Sequence, residues 1–171
     1  MIINKIEITP YVAEREADLQ NFLQTCWRDT YGPVFGNAVA NRLSASIEGN
    51  LKEVIPHRNI KAYLAQIDEK IVGSIVLAEP RDIAYIWGMY ISADYHRKGI
   101  GRRLICHAAE KIKTAKEIQI SVLTKRVSAQ KFYESLGFTG QEKSWVDLVK
   151  GFQVEVFTKS IAVSQLKNIC R

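Results

Sequence analysis

The stretch Asp94-Tyr95-His96-Arg97-Lys98-Gly99-Ile100-Gly101-Arg102-Arg103-Leu104 joins a long apolar run to the clearest amphipathic segment of the chain. Two glycines at a spacing of two follow basic residues and open a helix. Successive backbone N–H groups there can converge on one anion, with the helix dipole behind them. Two other phosphate loops do not fit. A Walker-type loop requires Gly-Lys followed by Ser or Thr, and a dinucleotide fingerprint requires a third glycine or alanine where this chain has Leu104. Upstream, Ile83 to Ile91 is long, apolar and rich in β-formers, which predicts a central strand buried on both faces. Gly88 within it marks a bulge or a close approach to the backbone. Downstream, residues 101–113 place Leu104, Ile105, Ala108, Ala109 and Ile112 on one helical face.

Further outward, Ile6 and Ile8 alternate with polar neighbours between Lys5 and Pro10, the period of a half-buried strand. Leu19, Phe22, Leu23, Cys26 and Trp27 recur at helical steps, as do Val39, Leu43 and Ile47 after a break at Gly32-Pro33. This predicts two helices between about residues 14 and 50, the second stopped at Gly49-Asn50. Ile60–Ile67 and Ile71–Leu77 around Asp68-Glu69-Lys70 read as a hairpin. Ile118–Leu123 reads as a strand, 128–136 as a short helix capped by Ser128 and stopped by Gly137, and Phe152–Lys159 as a last strand. The tail 164–171 is a short helix or a frayed end. The order β-α-α-β-β-β-α-β-α-β is mixed α/β (α+β). Its single crossover from Ile83 to Leu123 implies one parallel strand pair in a mostly antiparallel sheet flanked by helices.

With 171 residues, one domain over 1–171 is expected, its core at about 6–160 and a tail at 161–171. A composition of 47% apolar and 25% charged residues excludes disorder and collagen-like repeats. The net charge of +6 suits an anionic partner, whether a phosphorylated cofactor, nucleic acid or an acidic surface. Nucleic acid is not expected, because no RNP motif, helix-turn-helix or long basic face accompanies Arg97, Lys98, Arg102 and Arg103. Cys26, Cys106 and Cys170 show no metal-ligand spacing and read as free thiols of a reducing compartment. With no leader-like start and no long apolar run, a cytoplasmic protein without membrane contact is expected. His96 and His107 lack partners, so no metal is expected.

His96-Arg97-Lys98-Gly99-Ile100-Gly101 resembles the pyrophosphate loop, Gln/Arg-x-x-Gly-x-Gly/Ala, of the GNAT (Gcn5-related N-acetyltransferase) superfamily, with His96 at the leading position. About thirty residues on, Ala129-Gln130-Lys131-Phe132-Tyr133-Glu134-Ser135-Leu136-Gly137-Phe138 is similar to that family's second motif, with Arg126 where Asn is common. The resemblance implies a GNAT-like fold and transfer of an acetyl group from acetyl-CoA to a primary amine by direct attack in a ternary complex. It implies a pyrophosphate held by His96, Arg97, Lys98, Gly99, Ile100, Gly101 and Arg102, and a pantetheine arm paired with the backbone of Met89, Tyr90 and Ile91. It also implies Tyr133 as the acid that assists the leaving thiolate. The general base stays open among Glu79, Asp82, Tyr85 and His57. Tyr31 to Phe35 is a candidate acceptor contact, and exposed strand edges leave room for a homodimer. A non-catalytic acyl-CoA sensor is the alternative, because no carboxylate stands in the middle of the long strand.

Overall fold

A computed structural model describes residues 5–48, 51 and 59–171. The Gly49-Asn50 helix stop and His57 lie outside the described residues. Seven strands form one sheet in the order β1-β2-β3-β4-β5-β7-β6: β1 (Glu7–Pro10), β2 (Ile60–Ile67), β3 (Lys70–Ala78), β4 (Ile83–Ile91), β5 (Glu117–Leu123), β6 (Thr139–Val149) and β7 (Phe152–Ala162). Only β4 and β5 run parallel. The helices are α1 (Glu16–Phe35), α2 (Asn37–Ala45), α3 (Ile100–Glu110), α4 (Val127–Ser135) and α5 (Val163–Ile169). The mixed α/β class and the parallel crossover are as expected. The crossover helix α3 is what permits a parallel pair, since two parallel strands cannot be joined by a tight turn.

The helical stripe of α3 explains the larger core. Ile100, Leu104, Ile105, Ala108 and Ala109 are buried against Ile75, Leu77, Ala84 and Ile86 of β3 and β4 and Ile118, Ile120 and Val122 of β5. Tyr133, Leu136 and Phe138 extend this cluster beneath α4. On the opposite face, Leu19 and Leu23 of α1 pack on Leu64 and Ile71 of β2 and β3.

Several expectations need correction. The first helix does not break at Gly32-Pro33 but runs through both and stops at Gly36, whose φ of +87° is costly for any residue with a Cβ. Pro33 sits in the last turn, where its missing N–H removes one hydrogen bond without ending the helix. An unforeseen strand, β6, pairs with β7, and β7 extends to Ala162. Nearly all of β6 is exposed, so it lacks the apolar alternation that reveals a strand. The α4 helix is preceded by Arg126, with no side-chain cap from Ser128. The β4 strand is buried on one face only: Tyr85 and Trp87 are exposed, at 37% and 57%. The free-thiol reading also fails for two cysteines. Cys106 of α3 is disulfide-bonded to Cys170, which follows α5, while Cys26 is free and buried. A pair 64 residues apart cannot be read from spacing; the folding of α5 over α3 brings it together. The tail is a helix, with Leu166 fully buried.

Candidate active site

The β4 and β5 strands part company at the middle of the sheet. Their parallel ladder runs from Ile83↔Glu117 to Ile86↔Ile120 and stops there. Beyond it, β4 is held on its other side by β3 as far as Gly73↔Ile91, while β5 follows β7 to Leu123. Val76 and Leu77 of β3 oppose Gly88 and Ile86, so Trp87 is the extra residue of a bulge beside Gly88. A bulge adds local twist, which turns the rest of β4 away from β5. The opened edge, Trp87 to Ile91, includes Met89, Tyr90 and Ile91 and carries backbone groups suited to one more extended chain.

The glycine loop stands at the end of this gap. Ser92 N–H donates to the Val72 carbonyl, and His96 Nε2 donates to the Ile91 carbonyl at 2.8 Å, tying the loop to the strand end. Arg97 and Gly99 both have left-handed φ, +63° and +78°, on either side of Lys98. Gly99 precedes α3, and the first helical bond runs from Arg103 N–H to its carbonyl. The N–H groups of Ile100, Gly101 and Arg102 in the first turn have no acceptor within the helix. A Cβ on Gly101 would lie 3.1 Å from Phe132 Cζ and 3.4 Å from Met89 Cε, so glycine lets α3, α4 and β4 meet closely. A Cβ on Gly99 would meet nothing within 4 Å, which leaves open space above the loop. Arg97 and Lys98 are exposed, with the Lys98 ammonium 5.0 Å from the Tyr95 ring centroid. Arg102 donates instead to the Ile169 carbonyl at 2.8 Å and Arg103 to the Ile6 carbonyl at 3.1 Å. In this structure their guanidinium groups are engaged in fastening α3 to its neighbours.

Three phenols gather at the gap. The Tyr31 and Tyr90 hydroxyls are 2.8 Å apart. The Tyr133 ring is buried edge-on between Phe132 and Phe138, and among the described residues its hydroxyl makes no hydrogen bond. Burial raises all three phenols, and the Arg126 guanidinium opposes that rise at each. Arg126 immediately precedes α4, and Trp27 packs against Tyr31 and Tyr90 at ring separations of 5.5 and 6.2 Å. Sequence reading had Tyr90 for its backbone and Arg126 only as a departure from a motif. Trp27 read there as part of an ordinary apolar helix face, and Tyr31 as the start of a candidate acceptor contact running to Phe35.

The carboxylate candidates stand elsewhere. Glu79 lies where β3 turns into β4, at the paired end of the strand. Its Oε1 accepts from the N–H groups of Lys113, Thr114 and Ala115 and from the Thr114 hydroxyl, at 2.7–3.1 Å. Burial alone would raise this carboxyl, but the Ala115 and Thr114 donors, then Lys113, hold it below its usual value. Asp82 accepts at its backbone carbonyl from Lys116 and Glu117 at the same end, and Tyr85 points from the paired part of β4. Among the described residues no group of His, Cys, Asp and Glu is arranged to hold a metal ion, and no helix is long and apolar enough to cross a membrane.

Comparison with known proteins agrees with this geometry. Residues 58–140 match the model of the acetyltransferase (GNAT) domain, a span that includes the gap, the glycine loop and α4. No curated protein matches the sequence. Among solved structures, the PaiA N-acetyltransferase of Thermoplasma acidophilum, in complex with coenzyme A, superposes with a TM-score of 0.74 at 19% identity, over 92% of this chain and 99% of that one. A GNAT-family acetyltransferase of Staphylococcus aureus Mu50 gives 0.71 at 20% identity over 93% and 99%. The ribosomal-protein-S18-alanine N-acetyltransferase of Escherichia coli gives 0.70 at 14% identity over 93% and 94%. At these identities the likeness is one of fold.

Proposed function

We propose that the protein, whose residues 58–140 match the acetyltransferase (GNAT) domain and whose chain has the GNAT fold, is a single-domain, acetyl-CoA-dependent N-acetyltransferase. It transfers the acetyl group to a primary amine by direct attack in a ternary complex. The observation that carries this reading is the end of the β4–β5 ladder at Ile86↔Ile120, facing the N-terminus of α3. The open β4 edge and the open space at Gly99 fit the two ends of one long ligand, a pantetheine arm and a pyrophosphate.

Acetyl-CoA supplies an acetyl group already activated as a thioester. The backbone of Met89, Tyr90 and Ile91 aligns the arm, and one N–H of this edge faces the carbonyl oxygen as negative charge develops there. A donor so placed is worth about 3 kcal/mol in other enzymes. His96 holds the loop to the strand, Gly99, Ile100, Gly101 and Arg102 offer first-turn backbone groups, and Arg97 and Lys98 add positive charge. Tyr133 keeps its proton at working pH and donates it, or a hydrogen bond, to the departing sulfur. Glu79 already accepts four hydrogen bonds far from the gap, which argues against it as the base.

Acetyl-CoA is a cytoplasmic metabolite, and we place the protein there, with the Cys106 and Cys170 thiols oxidised or reduced according to the local redox poise. The free edge of β6 is the surface we assign to a homodimer contact.

A thermal-shift titration with acetyl-CoA, CoA, ATP and NAD, followed by thiol release with a panel of amines, tests the proposal. At 100 times its Kd a ligand stabilises by about 2.7 kcal/mol, a rise of roughly 5–10 °C for this size. A rise with the CoA species alone, together with amine-dependent thiol release, is expected. No rise with any of them refutes it. A second reading, a non-catalytic acyl-CoA sensor, is favoured by the lack of a carboxylate at the gap among the described residues. It predicts the same rise without turnover.

A further inference from the structure

The polar groups around the gap are of one kind. Tyr31, Tyr90 and Tyr133 present hydroxyls, and Arg126 is the one charged side chain whose field reaches all three. Arg126 is half-buried, yet among the described residues no carboxylate pairs with it and its guanidinium makes no hydrogen bond. Arginines so placed usually meet a planar anion, since the guanidinium fork matches a carboxylate. A second donor is idle: among the described residues Trp27 Nε1 is buried without a partner, in a ring packed on Tyr31 and Tyr90. An unpaired buried donor costs free energy unless something accepts from it.

Arg126 immediately precedes α4, and its charge acts on Tyr133 in the second turn of that helix. A group held by Arg126 therefore sits within a short reach of the place where Tyr133 meets the departing sulfur. Among the described residues the cluster is rich in donors, carries positive charge and contains no carboxylate. Such a site repels a polycation and accepts an anion.

We infer that the acceptor is a small amine carrying a carboxylate close to its amino group, with Arg126 binding that carboxylate and the Trp27 indole N–H donating to it as a second partner. This rests on the acetyl-transfer reading and names its substrate class. The same charge balance explains how the reaction proceeds without a carboxylate base. Positive charge nearby disfavours the ammonium form of the bound amine and favours the neutral nucleophile. The nitrogen attacks the thioester carbonyl, forming the C–N bond as the C–S bond breaks. The amine's proton goes to solvent, and the sulfur leaves as thiolate or takes the Tyr133 proton.

The test uses amino acids and their decarboxylated amines as matched pairs, with spermidine as a polycation, on the full chain. The expected result is kcat/KM at least ten-fold higher for the carboxylate member of the best pair. That preference falls at least ten-fold in Arg126→Gln and is partly kept in Arg126→Lys, while the KM for acetyl-CoA moves less than three-fold. Equal or better turnover of the decarboxylated amines or spermidine overturns the inference and leaves acetyl transfer standing. A matching rise in the acetyl-CoA KM of Arg126→Gln also overturns it, by assigning the guanidinium to the donor. In parallel, the preferred amino acid is titrated into CoA-bound protein and followed by thermal shift, which does not depend on turnover. A shift seen in wild type and lost in Arg126→Gln supports the carboxylate site even if no amine is acetylated, in which case the acetyl-transfer reading falls. No shift and no turnover overturn both. A melt of each variant alone reports folding, and Trp27→Phe, which keeps the aromatic packing, supplies a second variant expected to weaken the same amino acid.

Discussion

At the scale of single residues, burial decides what a side chain can do. Tyr133 is 6% exposed, its hydroxyl is unengaged among the described residues, and burial pushes its phenol above the ordinary value of 10. It is a proton donor throughout the neutral range. Tyr133→Phe keeps the ring contacts with Phe132 and Phe138 and removes only the hydroxyl. Steady-state kinetics should show kcat reduced on the order of 100-fold, the low end for general acid catalysis, with acetyl-CoA affinity nearly unchanged. Unchanged kcat where chemistry limits turnover would remove Tyr133 from the mechanism. Glu79 is the opposite case, a carboxylate with its acceptor capacity taken by backbone donors. Its carboxyl is held below 4.5, so the stability it contributes is complete above that pH and lost as pH falls through its folded value. Glu79→Gln should cost about 1–2 kcal/mol at neutral pH, flatten the acid limb of a denaturation series below pH ~4.5, and leave saturated kcat within about two-fold, because a residue outside the chemistry should not move ΔG‡. A large fall in kcat with no loss of stability would instead make Glu79 the base.

Among elements, those with one buried face could be read from sequence and those defined by partners could not. The glycine loop, α3 and the span of β4 carry their own signals: spacing-two glycines, a stripe at 3.6 residues and a β-branched run. Gly88 pointed correctly to the irregularity beside Trp87. The exposed β6 carries no such pattern, and the α1 helix hid its length behind a Gly-Pro pair that, in a last turn, does not end a helix. Likewise Tyr133 was visible through its motif and Tyr31 through the aromatic run Tyr31 to Phe35, whereas Arg126 and Trp27 join the proposed site only when α1, β4 and α4 converge. The α5 helix depends on long-range partners too. It is held to α3 by the Cys106–Cys170 bond, by Arg102 donating to Ile169, and by burial of Leu166. Closing a chain across 64 residues is worth up to about 4 kcal/mol in the loop-entropy model. Cys170→Ser should therefore lower Tm by up to roughly 10 °C. Reductant should lower wild type to the same Tm and leave the variant where it is. A wild type indifferent to reductant would show that the two thiols are unjoined in solution.

For the whole molecule, the gap is the place where distant parts of the chain meet, and three buried phenols report on it together. Tyr31 comes from α1, Tyr90 from β4 and Tyr133 from α4, and burial raises each of them despite the opposing charge of Arg126. In the unfolded chain the same phenols titrate near 10. Above that pH the unfolded state releases protons that the folded state retains, so the native state holds more protons and stability falls as pH rises. The fall can reach about 1.4 kcal/mol per pH unit for each phenol still protonated in the fold. Urea melts between pH 8 and 11.5 should show stability beginning to fall near pH 9, where the unfolded Cys26 thiol titrates while burial pushes the folded one up to about 12, and falling more steeply above about 10. Tyr133→Phe removes one of five raised phenols, the others being Tyr11, Tyr31, Tyr63 and Tyr90, and should make that limb shallower. Tyr31→Phe removes a raised group and also the partner of Tyr90. It should soften the limb while lowering stability at neutral pH, where Tyr133→Phe should change it little. Parallel limbs in wild type and both variants would mean that the phenols are open to solvent. The convergence of α1, β4 and α4 on which the acceptor site depends would then be wrong.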